Sequence, residues 1–238
     1  MIENQQKSTE NSQPKLKVCG LTQLGQIREL VALKIDFIGF IFYEKSPRYV
    51  LNHLSLEDIF KIEHSGKGGV FVNENADKII EIAEKADLNF IQLHGDESED
   101  FILELRKKLK PEIKIIKVIR VGNQISDFRF QTQKIFDSAQ TDNQQPTTIN
   151  YLLFDTESKA FGGTGKSFDW NILNEIEIPL PYFLSGGISL ENFHQLKTIN
   201  QQPFALDINS KFEIEPGIKD VEKIKEFVNK FKSPKGTT

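Results

Sequence analysis

Lys15-Leu16-Lys17-Val18-Cys19-Gly20-Leu21-Thr22-Gln23-Leu24-Gly25-Gln26-Ile27-Arg28-Glu29-Leu30-Val31 carries two periodicities back to back. Leu16–Cys19 reads as a short β-run whose alternate side chains face opposite ways. Leu24, Ile27 and Val31 then recur at helical spacing and form one apolar face. The same strand–turn–helix unit recurs down the chain. Further strand-like runs stand at Phe37–Phe42, Gly69–Asn73, Phe90–His94, Ile113–Ile119, Tyr151–Asp155, Tyr182–Ser185 and Phe204–Asn209. Helical stripes include Ile79, Ala83, Ala86 and the late run Val221, Ile224, Val228, Phe231, with Asn75, Ser189 and Asp220 where N-caps belong. Strict alternation predicts a parallel sheet wrapped by helices. Eight units predict closure into a (β/α)8 TIM barrel of the α/β class, with an open doubly wound sheet as the competing arrangement.

The barrel is expected to be a single catalytic domain over residues 15–232. Residues 1–14, polar and rich in Gln, Asn and Ser, are expected to be a disordered tail, with a second short tail at 233–238. Residues 123–150 are the weakest part of the pattern, a helix-like piece at Ile125–Asp137 followed by a surface linker from Gln140 to Thr148. The length of 238 residues suits one barrel of about 250. A net charge of −4 gives no electrostatic reason to seek nucleic acid or an anionic membrane, so neither is expected as a partner. Cys19 is the sole cysteine, which rules out an intrachain disulfide and a thiolate metal cluster. No apolar run approaches the roughly 20 residues of a membrane helix. The opening Met1–Gln6 lacks the apolar stretch of a signal peptide, and the cytoplasm is the expected location.

Barrel active sites form where the strands end at their C-terminal side. Cys19 ends the first strand. The plain alternative is a buried structural thiol, but Lys17 shares its face, and a nearby ammonium favours a thiolate. Asp155 ends the sixth strand, where it either caps the next turn or, partly desolvated, serves as a general acid. Arg48, beyond the second strand, is either a solvated surface residue or a planar fork for a carboxylate. His94 ends the fourth strand with Gln92 on its face, so both are expected to point into the mouth, His94 either as a hydrogen-bonded structural residue or as a substrate-binding one. Ser185-Gly186-Gly187 and Asn209-Ser210 follow the seventh and eighth strands, where barrels often hold phosphate on backbone N–H groups. Ala160-Phe161-Gly162-Gly163-Thr164-Gly165-Lys166-Ser167 is one residue short of a P-loop, and the Walker-B-like Phe204–Asp207 follows. That keeps a nucleotide-binding protein in view. The competing reading makes Gly162, Gly163, Thr164, Gly165 and Lys166 a lid after the sixth strand.

Taken in order, these segments resemble the phosphoribosylanthranilate isomerases of tryptophan biosynthesis. The resemblance runs from Lys17–Thr22 and Gly39–Val50 through Gly69–Asn73 and Gln92–Glu97 to Asp155. It continues through Gly162–Lys166, Phe168-Asp169-Trp170, Ser185–Gly187 and Asp207–Ser210 to Glu213, Pro216-Gly217 and Lys219-Asp220. It implies an Amadori rearrangement of N-(5′-phosphoribosyl)anthranilate, a phosphosugar substrate, without metal or organic cofactor, by a monomer or homodimer. It further implies Cys19 as general base, Asp155 as general acid and Arg48 as the ligand of the anthranilate carboxylate. One departure is visible: the family often has glycine shortly after the strand-8 serine, where Lys211 and Phe212 stand here.

Overall fold

The structure, a computed structural model, describes residues 13–122, 148–156 and 168–232. Eight parallel strands close into a barrel in the order β1 to β8, each beside its sequence neighbour and β8 beside β1. They are β1 (Lys15–Val18), β2 (Phe37–Ile41), β3 (Lys67–Phe71), β4 (Phe90–Leu93), β5 (Lys114–Val121), β6 (Tyr151–Thr156), β7 (Tyr182–Leu184) and β8 (Ala205–Ile208). The closed barrel, not the open sheet, is therefore the arrangement adopted. Helices α1 (Leu24–Ala32), α2 (Leu56–Phe60), α3 (Ala76–Lys85), α4 (Glu99–Lys108) and α5 (Val221–Lys232) lie between or after the strands.

The two-residue period of the strands sorts their side chains into two cores. Leu16, Val18, Ile38, Phe40 and their equivalents point outward and pack with the helices. Phe37, Ile116, Val118, Leu153, Phe183 and Ala205 form a separate cluster inside the barrel, with Phe90, Tyr151 and Phe204 against it. Branched and aromatic residues fill such interiors, so this end of the barrel is packed rather than open. One more inward step along β1, β4, β6 and β8 reaches polar residues: Lys17, Gln92, Asp155 and Asp207. The polar and apolar ends of the interior are thus both written in the strand period.

Several details differ from the sequence reading. Asn75 caps α3, its Oδ1 accepting from the N–H groups of Asp77 and Lys78, and Asp220 accepts from Lys223 N–H to cap α5. Ser189 does not cap an α-helix. It opens a turn, and the segment beyond is a 3₁₀ helix, Phe193–Thr198, entered through Asn192. A second 3₁₀ helix, Trp170–Glu175, follows β6. Gln13, assigned to the tail, donates through its side chain to the Phe231 carbonyl at the end of α5. A two-stranded antiparallel hairpin, β9 (Glu213–Glu215) and β10 (Ile218–Lys219), stands between β8 and α5 and was not expected. The Ile125–Asp137 helix-like piece, nearly all of the Gln140–Thr148 linker, the Gly162–Lys166 segment and residues 233–238 lie outside the described residues.

Candidate active site

Cys19 follows β1 at the rim, with its N–H donating to the Ile208 carbonyl of β8. It is buried, 4% exposed. The next residue, Gly20, has φ +74°, and a Cβ there would come within 2.8 Å of both Arg48 Cδ and Asn209 Oδ1. Only glycine lets those two side chains close over the end of β1.

Below the thiol runs a chain of buried polar contacts. Lys17 Nζ donates to Asp207 Oδ2 at 2.7 Å and to Gln92 Oε1 at 2.8 Å. Gln92 Nε2 lies 3.2 Å from His94 Nδ1, and His94 Nε2 lies 3.4 Å from Asp155 Oδ2. The ammonium fixes the direction of the whole chain. It holds the amide oxygen of Gln92, so the amide nitrogen must donate to His94 Nδ1. That leaves the imidazole proton on Nε2, aimed at Asp155. The other oxygen of Asp155 accepts from Thr156 N–H at 2.9 Å, so the turn-capping role coexists with a place at the rim.

Lys17 favours a Cys19 thiolate, as expected, but its ammonium is shared with Asp207 and burial outweighs it. Burial pushes the Cys19 thiol above its ordinary range, and Lys17 and Lys219 offset this only in part. Burial works against the charge on Lys17 as well, yet Asp207 beside it raises that group above the ordinary lysine value. Asp207, first noted as part of a Walker-B-like run, is an inward residue of β8 committed to this pair.

Arg48 is not a surface arginine: it is 7% exposed. Its Nε donates to Glu213 Oε1 and Oε2 at 2.9 and 3.0 Å, and its Nη2 to Oε2 at 2.6 Å. Lys219 Nζ donates to the same carboxylate at 2.7 Å and to Asn209 Oδ1 at 2.7 Å. Burial alone would raise the Glu213 carboxyl, but Arg48 and Lys219 together hold it below the usual range. Glu213 and Lys219 had been given no role. Their signal was the Pro216-Gly217 turn with a charge of each sign on its two flanks, in register across the hairpin as Lys219 and Glu213.

Gly186 and Gly187 follow β7 with φ +85° and +73°. Asn209 and Ser210 follow β8, where Ser210–Phe212 forms a short 3₁₀ turn. Phe212, at the departure from the family pattern, is fully buried, its ring 5.1 Å from that of Phe227 on α5. The β4 rim loop is braced from beneath. Glu97 accepts from Lys117 Nζ at 2.7 Å and from the N–H groups of Asn73 and Gly95.

Residues 16–230 match the family of N-(5′-phosphoribosyl)anthranilate (PRA) isomerases. The chain is 37% identical over 222 residues to the N-(5′-phosphoribosyl)anthranilate isomerase of Parabacteroides distasonis, covering 92% of this chain and 94% of that one. It is 36% identical over 219 residues to the enzyme of the same name from Caldanaerobacter subterraneus, covering 91% and 97%. Among solved structures, phosphoribosyl anthranilate isomerase from Thermotoga maritima superposes with a TM-score of 0.70 at 30% identity, covering 92% of this chain and 98% of that one. Another structure of a phosphoribosyl anthranilate isomerase, in complex with reduced 1-(o-carboxyphenylamino)-1-deoxyribulose 5-phosphate, has a TM-score of 0.67 at 30% identity, with the same coverage. With a family match over nearly the whole barrel and relatives above one-third identity, the chain belongs to the N-(5′-phosphoribosyl)anthranilate isomerase family.

Proposed function

We propose that Cys19 and Asp155 are the base and acid of the Amadori rearrangement by which this chain, as a member of its family, isomerises N-(5′-phosphoribosyl)anthranilate. The product is 1-(2-carboxyphenylamino)-1-deoxyribulose 5-phosphate. Asp155 protonates the ribose ring oxygen, and the ring opens to an iminium. Cys19 then takes the proton from C2′, made acidic by that iminium, and the enolamine tautomerises to the ketone. The substrate's own nitrogen is the electron sink. A thiol pushed up by burial becomes a base only when positive charge gathers near it, and the iminium adds to Lys17 and Lys219 at that moment. Arg48 takes the anthranilate carboxylate. The Gly186-Gly187 and Asn209-Ser210 turns take the phosphate through backbone N–H groups.

The observation that carries this reading is the polar chain from Lys17 through Gln92 and His94 to Asp155. It starts beneath the thiol and ends on the carboxylate. The test is Cys19→Ala and Asp155→Asn, each checked for folding and assayed by loss of substrate fluorescence. Each should lower kcat by about 10²–10⁴, the usual span of general acid–base catalysis. The double variant should be little worse than the poorer single one, because both groups act on one path. A folded Cys19→Ala protein with near-full kcat would sink the assignment.

A further inference from the structure

Arg48 binding a substrate carboxylate meets an electrostatic difficulty. The guanidinium already faces a carboxylate of its own chain through three contacts of 3.0 Å or less. An Arg–Glu pair is neutral as a unit, and an incoming carboxylate would meet Glu213 as well as Arg48. Lys219 removes the difficulty. Its Nζ sits 2.7 Å from Glu213 Oε1, and its side chain is fully covered. Two cations and one anion leave one net positive charge. We propose that Lys219 supplies the net charge of the carboxylate subsite, so that Arg48, Glu213 and Lys219 recognise the anthranilate carboxylate as a triad. This inference rests on the reading of Arg48 given above and deepens it.

The surroundings support a fixed charge rather than a wandering lysine. Gln26 of α1 clamps the Lys219 backbone from both sides, accepting from its N–H at 2.8 Å and donating to its carbonyl at 2.6 Å. Gly217 N–H donates to Glu213 Oε1 at 3.1 Å, and Thr22 Oγ1 donates to the Gly217 carbonyl at 2.7 Å. Glu213 therefore keeps the Nε–Nη2 edge of Arg48, and the Nη1–Nη2 end is left for a second carboxylate. Among the described residues, the ionisable group that faces Lys219 besides Glu213 and Arg48 is Cys19. Burial pulls Lys219 below the ordinary lysine value while Glu213 resists, so its charge, not that of Arg48, is lost first as pH rises.

The experiment compares N-(5′-phosphoribosyl)anthranilate with N-(5′-phosphoribosyl)aniline, which lacks the carboxylate. The readout is the ratio of their kcat/KM values within each protein, which cancels differences in active fraction. Arg48→Ala should collapse the ratio. If it does not, the Arg48 reading fails and this inference with it. Lys219→Met, which neutralises the triad, should lower the ratio about tenfold or more, the scale of breaking a buried charge pair. Glu213→Gln/Lys219→Met restores one net charge through Arg48 alone, and the ratio should return to within about threefold of wild type. A merely structural role predicts the reverse, with the double variant at or below Lys219→Met. That outcome, or an unchanged ratio in Lys219→Met while Arg48→Ala collapses it, overturns the inference alone. If Lys219→Met does not fold, the wild-type chain decides. Its ratio should fall as pH rises toward about 10.4, the ordinary lysine value, and a flat ratio over that range overturns the proposal.

Discussion

Cys19 is the residue on which composition and structure bear most directly, because it is the sole cysteine. Its reactivity can therefore be read without ambiguity. Burial raises the thiol, so the thiolate of the free protein gathers only above the ordinary value of about 8.5. Alkylation by iodoacetamide should accordingly rise with pH to a midpoint above that value, and Lys17→Met should move the midpoint higher still. A midpoint below about 8.5 would mean that Lys17 outweighs burial after all. Arg48 gives a second expectation. A lysine has no planar fork and so cannot meet Glu213 and a substrate carboxylate each through a bidentate edge. Arg48→Lys should weaken substrate binding by roughly 1.5–3 kcal/mol, the range for a hydrogen bond to a charged group. Unchanged KM and kcat/KM would remove Arg48 from the site. The inward places of Cys19, His94 and Asp155 were legible because strand period and strand end are local properties. The burial of Arg48 was not, because its partner Glu213 lies 165 positions away in sequence.

At the scale of elements, the hairpin Glu213–Lys219 is the part that sequence periodicity did not reach. A three-residue strand and a two-residue strand are too short to display alternation. The Pro216-Gly217 turn was visible, but a turn between two charges reads equally as loop. Among the described residues, the segments after β6 and β7 where α-helices were expected are 3₁₀ turns, Trp170–Glu175 and Phe193–Thr198. Trp170–Glu175 is followed by Pro179 and Pro181, which leave no room to extend it. The hairpin's docking is testable. Thr22, 1% exposed, is its buried hydrogen-bond donor through Gly217. Thr22→Val keeps the shape and strands the carbonyl, which should cost about 1–3 kcal/mol of stability in urea unfolding. Loss well under 0.5 kcal/mol would mean that water or another group takes over the carbonyl. Glu213 adds a pH signature. Its folded-state carboxyl is held low, so its contribution to stability is present above the ordinary glutamate value of about 4.3. That contribution disappears as pH falls through the lower folded value. The gap in Tm between wild type and Glu213→Gln should thus be largest near neutrality and close in acid. A gap independent of pH would show that the charge on Glu213 contributes nothing to folding.

Across the whole molecule, the barrel divides its interior between two tasks, and the division was partly legible from the start. The eight β-runs and their order foretold the closed sheet, since alternation with helices permits few other parallel arrangements. Which inward residues would meet one another was not legible, because contacts around a barrel depend on register between strands rather than on any one strand. Lys17 opposite Asp207 and Leu153 opposite Phe183 are facts of register. Those two pairings also mark the two tasks. Around Lys17 and Asp207 the interior is polar and serves the rim. One step below, Phe183 has ring neighbours Phe37, Tyr151 and Phe204 at 5.4, 5.5 and 5.6 Å. Phe183 is fully buried, so truncation there enlarges the small internal void that it lines at the top of the apolar end, beneath Lys17 and Gln92. Phe183→Ala should cost about 3–5 kcal/mol of stability, as large aromatic deletions in cores do. For a domain of this size that is a fall in Tm of roughly 6–20 °C. Assayed well below the lower Tm, however, kcat and KM should stay within about threefold of wild type, because in such barrels the chemistry belongs to the C-terminal rim and the opposite end to stability. A folded Phe183→Ala protein with kcat depressed a hundredfold would show that the aromatic packing positions Lys17, Gln92 and Asp155, and that the two ends do not act independently.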